Sequence, residues 1–134
     1  MNALGRHILG ELFDCQPEIL NDVEEVEKLM KEAALESGAT ILGSYFHPFT
    51  PQGVSGVIVI AESHLSIHTW PEYRYAAVDI FSCGKQVDPW KAFHYLRKRL
   101  MATHFSAMEV KRGQLEERSE KVESLKVSQN LETL

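Results

Sequence analysis

The sequence predicts an α+β domain, an antiparallel sheet with two helices packed on one face, and three observations predict it. Short β-rich runs follow one another between residues 39 and 83 with only turn-length breaks. Two other segments instead place apolar residues three and four apart, the spacing of a helical stripe. No Gly/Pro/Ser-rich linker divides the 134 residues, a length that suits one domain with a real core and is too short for two. With 44% hydrophobic and 25% charged residues, the composition is that of a globular chain rather than a disordered one.

Taken in order, Leu4 to Phe13 reads as a strand with apolar residues on both faces, closed by Asp14-Cys15-Gln16-Pro17. Pro17 suits the first turn of a helix, where its missing N–H is not needed. The apolar stripe Ile19, Leu20, Val23, Val26, Leu29, Met30, Ala33 and Ala34 then predicts one helix that Gly38 stops, and Glu24, Glu25 and Glu27 lie on its solvated face. Ala39 to Phe49 and Val54 to Glu62, separated by Pro51-Gln52-Gly53, form a pair of strands. Ser63 to Thr69 alternates apolar Leu65, Ile67 and Thr69 against polar His64, Ser66 and His68, and Trp70 to Tyr73 turns the chain. Tyr75 to Ser82 is a further strand. Asp88-Pro89 is a cap and first-turn pair for a second helix with Trp90, Phe93, Leu96 and Leu100 on one face, and a last strand covers about His104 to Val110. The segment 113–134 is a polar tail, read equally as a weak helix on Leu115, Val122 and Leu125 or as a frayed end. A sheet covered by helices on one side leaves its other face bare, so an oligomer is expected to cover it.

Several function classes fall away on composition. A net charge of −5 argues against a surface that tracks phosphates, so no nucleic-acid partner is expected. The longest apolar run, Val57 to Ala61, is far short of the roughly 20 residues of a membrane span, and Arg6, His7, Glu11 and Asp14 interrupt any secretory signal. Two cysteines, Cys15 and Cys83, make no disulfide framework, and the expected location is the cytoplasm.

The reactive residues concentrate in Glu62-Ser63-His64-Leu65-Ser66-Ile67-His68-Thr69-Trp70-Pro71-Glu72, with Cys83-Gly84 one strand later. His64, His68 and Cys83 have strand spacing for converging metal ligands, but no fourth ligand and no Cys-x-x-Cys or His-Glu-x-x-His pattern accompanies them, so no metal is expected. A hydrolase with Ser63 or Cys83 as nucleophile and His68 as base lacks the Gly-x-Ser-x-Gly elbow that presents such a hydroxyl. In the plainest reading Ser63 caps a turn and Cys83 is a small hydrophobe. Self-processing is the remaining chemistry. The Ser63 hydroxyl attacks the Glu62 carbonyl, the amide becomes an ester, β-elimination cuts the chain, and loss of ammonia leaves a pyruvoyl group at the new amino terminus. This requires a hydroxyl just after the scissile bond, a strained or polarised carbonyl and a base, and Glu62-Ser63 followed by polar-face histidines has each in kind.

The run from Ala61 to Glu72, its continuation through Tyr75-Ala76-Ala77-Val78-Asp79 to Cys83-Gly84, Leu4-Gly5-Arg6-His7 near the start and Val54-Ser55-Gly56-Val57 together resemble the short prokaryotic S-adenosylmethionine decarboxylases over about residues 3 to 112. The resemblance implies a domain over 1–112, cut between Glu62 and Ser63 into a β chain, 1–62, and an α chain, 63–134. It implies that Ser63 becomes the pyruvoyl cofactor and forms a Schiff base with the substrate's amine, that His68 is the processing base, that Ser55 assists processing and that Cys83 is the catalytic proton donor. It further implies an α2β2 dimer, an α/β/β/α sandwich, and conversion of S-adenosylmethionine to S-adenosylmethioninamine and CO2, which supplies aminopropyl groups for spermidine and other polyamines. Phe49 and Trp70 are candidates for the sulfonium and adenine and Glu72 for the ribose, although the two aromatics equally suit a core. Relatives with nearly the same processing segment act on arginine or ornithine, which remains the alternative. An unprocessed binding module is the reading from another class.

Overall fold

The computed structural model describes residues 3–115. Its elements run β1 (Gly5–Phe13), α1 (Pro17–Leu20), α2 (Val23–Glu36), β2 (Ile41–Pro48), β3 (Val54–Ile60), β4 (Ser63–Trp70), a 3-10 turn (Pro71–Tyr73), β5 (Tyr75–Cys83), α3 (Pro89–Arg99) and β6 (His104–Arg112). The six strands form one antiparallel sheet in the order β2-β3-β4-β5-β1-β6, and α2 and α3 pack together against one face. The α+β fold expected from the sequence is the fold observed.

The helix expected from Pro17 onward is interrupted at Asn21-Asp22. The Asp22 side chain accepts the Glu25 N–H at 3.1 Å and caps α2, while Asn21 Oδ1 accepts the Gly53 N–H at 2.9 Å and ties this corner to the β2–β3 loop. Asn and Asp compete for local backbone hydrogen bonds, so they end one helix and begin the next even where the apolar stripe runs on. Asp88 caps α3 in the same way through Trp90 N–H at 3.1 Å. The tail from residue 116 onward, including Val122 and Leu125, lies outside the described residues.

Alternation along the strands separates two faces. Ile8, Leu12, Ile58, Leu65, Ile67, Val78 and Ile80 meet Val26, Leu29, Met30 and Ala33 of α2 and Phe93 and Leu96 of α3 in one core. Gly10 lets α3 approach: a Cβ there would stand 2.5 Å from the Phe93 ring. Thr69 carries polar atoms into this core at no cost, because its hydroxyl donates to Leu20 C=O at 2.8 Å and accepts Val54 N–H at 2.9 Å. The opposite face of the sheet has no helix over it among the described residues, and Leu9, Val59 and Met108 are exposed there.

Glu109 on β6 locks the edge of the sheet to α3. Its carboxylate takes a two-point contact from Arg6 at 2.9 and 3.0 Å, the Trp90 indole N–H at 2.8 Å and Lys111 at 3.2 Å. These donors favour the charged form, with Arg6 the largest influence and Trp90 next, and hold the carboxyl down to about 2. A carboxyl depressed in the folded state stabilises fully above its unfolded value of 4.5 and loses that contribution as the pH falls towards about 2. Thermal melts of the wild type and Glu109→Gln between pH 2 and pH 6 should therefore show a gap in melting temperature that is full above about pH 4.5 and closes in acid. A gap independent of pH would refute this role.

Candidate active site

The connection between β3 and β4 is the two-residue turn Ala61-Glu62. Tight hairpins match the sheet's twist by placing a residue at positive φ, which favours glycine. Neither Ala61 nor Glu62 has a positive φ; Ser63 does, at 144°. A side-chain-bearing residue rarely adopts this conformation, and holding it costs on the order of 1–3 kcal/mol. Strain is thus focused on the residue that follows the Glu62–Ser63 bond.

Both ends of Glu62 are held. Its carbonyl accepts the Cys83 N–H at 2.8 Å, and its side chain accepts the Thr40 N–H at 3.2 Å, while Ala61 N–H donates to Thr40 C=O at 2.8 Å. The Cys83 bond polarises the carbonyl carbon and stands ready for negative charge on that oxygen. Cys83 ends β5, beside Glu62 and one residue beyond Ser82, the partner of Ser63 in the register. Its side chain is exposed and borders a cleft of about 320 Å3 with Leu4, Phe81 and Arg112. Cys15, by contrast, is buried, and burial pushes its thiol up to about 12, which leaves it inert at neutral pH.

Ser55 and His68 form a second group. They face each other across β3 and β4, with Ser55 Oγ and His68 Nδ1 2.7 Å apart. Phe49, Trp70 and Glu72 join them in lining a cleft of about 320 Å3. Phe49 is 50% and Trp70 40% exposed, so neither is a core residue. Phe49 stands edge-on to His47 at 4.8 Å and Trp70 stacks near Tyr75 at 5.3 Å.

The chain does not bring these groups together. His68 lies five residues along β4 from Ser63, and a strand rise of about 3.3 Å per residue separates them by roughly 17 Å. One end of β4 therefore carries Glu62, Ser63 and Cys83, and the other carries Ser55, His68, Phe49, Trp70 and Glu72.

Between the two ends the uncovered face holds polar residues that the sequence reading did not single out. His7 Nε2 lies 3.1 Å from Asp79 Oδ1, Ser66 Oγ donates to Asp79 Oδ2 at 3.4 Å, and Tyr75 donates to Glu11 at 2.6 Å. His64 packs edge-on against Phe81 and His7; burial first, and His7 next, hold its pKa below the ordinary imidazole range. Pairing across strands creates this cluster, and linear spacing carries no signal for it. No group of three or more His, Cys, Asp or Glu side chains suited to a metal occurs among the described residues.

Comparison with known proteins gives a consistent result. Residues 6–113 match the S-adenosylmethionine decarboxylase family. The chain is 61% identical over 117 residues to the S-adenosylmethionine decarboxylase proenzyme of Thermosipho melanesiensis, covering 87% of this chain and 90% of that one. It is 60% identical, again over 117 residues, to the proenzyme of Acetivibrio thermocellus, covering 87% and 94%. A crystal structure of the adenosylmethionine decarboxylase from Aquifex aeolicus superposes with a TM-score of 0.81 at 34% identity, covering 89% of this chain and 98% of the other.

The strain at position 63 is measurable without any chemistry. Ser63→Gly and Ser63→Ala both remove the hydroxyl, but only glycine accepts a φ of 144° freely. Ser63→Gly should be the more stable by about 1 kcal/mol after glycine's own entropy cost, read as a higher melting temperature. Equal melting temperatures would mean that the turn is unstrained.

Proposed function

Because the chain belongs to the S-adenosylmethionine decarboxylase family, we propose that it cuts itself between Glu62 and Ser63 and then decarboxylates S-adenosylmethionine to S-adenosylmethioninamine and CO2, the donor of aminopropyl groups for polyamine synthesis. The observation that carries the reading is the strained Ser63 set behind a Glu62 carbonyl that already accepts the Cys83 N–H at 2.8 Å. Attack by Ser63 Oγ moves Glu62 from amide to ester and gives that carbonyl oxygen negative charge in passing, where the Cys83 amide meets it. The same step releases the backbone at residue 63 from its unfavourable φ.

These residues suit a pyruvoyl group at position 63, which would supply an electron sink for decarboxylation. Cys83 is the accessible thiol at that end of the sheet and the residue that would deliver a proton to the substrate carbon. His68, oriented by Ser55, is the base of the processing step. Phe49 and Trp70 present aromatic faces to the purine and the sulfonium, and Glu72 accepts from the ribose hydroxyls.

The roughly 17 Å between Ser63 and His68 in one chain is the reason to place a second copy on the uncovered face. A two-fold axis between two such sheets and across their strands reverses β4, so the Ser63 end of one copy lies over the His68 end of the other. Packed sheets stand about 10 Å apart, and His68, on the uncovered face, points across that gap towards the Ala61-Glu62 turn that precedes Ser63 in the other copy. The proposed active unit is thus a dimer of processed protomers, α2β2, in an α/β/β/α sandwich with two composite sites.

Denaturing mass measurement of the purified chain should give two fragments meeting at Glu62 and Ser63, the second lighter by the elements of ammonia. CO2 should be released from S-adenosylmethionine and not from arginine or ornithine. One intact chain, or CO2 from arginine alone, would refute the reading. Ser63→Ala and His68→Ala should each be inactive alone, and co-expression should restore roughly a quarter of the sites, since half of the dimers are mixed and one site in each is intact. No recovery on mixing would exclude the composite site.

A further inference from the structure

Ser82 is 1% exposed, and its hydroxyl has no hydrogen-bond partner among the described residues. Buried hydroxyls are nearly always paired, and an unpaired one in a native core calls for a reason. The strand register supplies its location: Ser82 stands directly opposite Ser63 across β4 and β5. The Cys83 N–H to Glu62 C=O bond, which joins the residue after Ser82 to the residue before Ser63, makes the two serines a non-hydrogen-bonded pair. In such pairs the Cα atoms are only about 4.5 Å apart and the side chains lie closest to each other. Leu65 and Ile80, the next residues along this side of the two strands, are fully buried and offer the Ser82 hydroxyl no acceptor.

We propose that Ser82 is a positioning residue for the self-cleavage: its hydroxyl, unpaired among the described residues of the resting chain, donates to Ser63 Oγ once that side chain turns to its attacking rotamer and holds it there. The inference rests on the processing reading given above. With one lone pair engaged by Ser82, Ser63 keeps its own proton free for the base and a second lone pair directed at the Glu62 carbonyl carbon. The Oγ–C bond forms, the C–N bond of Glu62–Ser63 breaks, and the hydroxyl proton ends on the released amine, so the step is a balanced isomerisation of amide to ester. Ser82 touches neither the carbonyl nor the base. It acts only through the orientation of Ser63.

The test follows cleavage with time in freshly synthesised wild type, Ser82→Ala, Ser82→Thr and Ser82→Val, with a parallel treatment by hydroxylamine to cut any ester. Ser82→Ala and Ser82→Val should slow cleavage by about 10- to 100-fold without accumulating a hydroxylamine-labile species, whereas Ser82→Thr, the hydroxyl-bearing match to valine, should cleave near the wild-type rate. Folding is checked in the uncleavable Ser63→Ala background, where adding Ser82→Ala should leave the melting temperature unchanged or higher, because it removes an unpaired buried hydroxyl. Cleavage of Ser82→Ala at the wild-type rate would overturn the proposal. So would equal slowing in the threonine and valine variants, an accumulating ester, or a fall in melting temperature that accounts for the loss. A wild-type chain that never cleaves would instead overturn the processing reading, and this inference with it.

Discussion

The hydrogen bond from Cys83 N–H to the Glu62 carbonyl is the constraint on which the arrangement depends. It closes the hairpin's turn against β5, and with Thr40 gripping the Glu62 side chain it leaves that residue little freedom to relax. The handedness that a tight hairpin needs then falls on Ser63, which has a Cβ and accepts it at a cost. Such strain persists only where the surroundings over-determine the backbone. Here β3, β4 and β5 are paired along their lengths, with Ile58, Leu65 and Ile80 fully buried between their neighbours and the helices.

The fold was legible where a single local signal decides it. Asp88-Pro89 begins α3, and the alternation of Leu65, Ile67 and Thr69 with His64, Ser66 and His68 correctly separates the covered from the uncovered face of β4. The break at Asn21-Asp22 was missed because the apolar stripe crosses it unchanged and outweighed the local cap of Asp22 on Glu25, which Asn21's bond to Gly53, 32 residues away, reinforces. Phe49 and Trp70 were open between core and surface for a similar reason: aromatic character fits both, and only their position at the end of the sheet leaves them exposed.

The site divides along the same line. Glu62, Ser63 and Cys83 stand out as reactive types in one short stretch, and the structure gathers them at one end of β4. Ser55 and His68 pair across β3 and β4 as their types suggest, yet at the far end of the strand. Five residues of one strand already separate Ser63 from His68; what spacing does not carry is the pairing register that sets Ser55 beside His68 and Cys83 beside Glu62. Ser82 carries no signal in the sequence at all. A buried serine is unremarkable until its hydroxyl is seen to lack a partner and its register to fall on Ser63.

The uncovered face combines exposed Leu9, Val59 and Met108 with polar side chains already paired within the chain, His7 with Asp79 and Tyr75 with Glu11. This combination suits the proposed second copy. Apolar area supplies the driving force for association, and polar groups that bring their own partners can be covered without the penalty of an unmatched buried charge. In that assembly a lone protomer would carry the strained bond and its polarised carbonyl but hold its Ser55-His68 pair roughly 17 Å away, too far to act on it. In the proposed dimer, the strand that stores the strain also holds the protomer's own His68 away from it, and the second copy would supply the one that reaches it. Cleavage then becomes a consequence of correct pairing of two folded sheets rather than of folding alone.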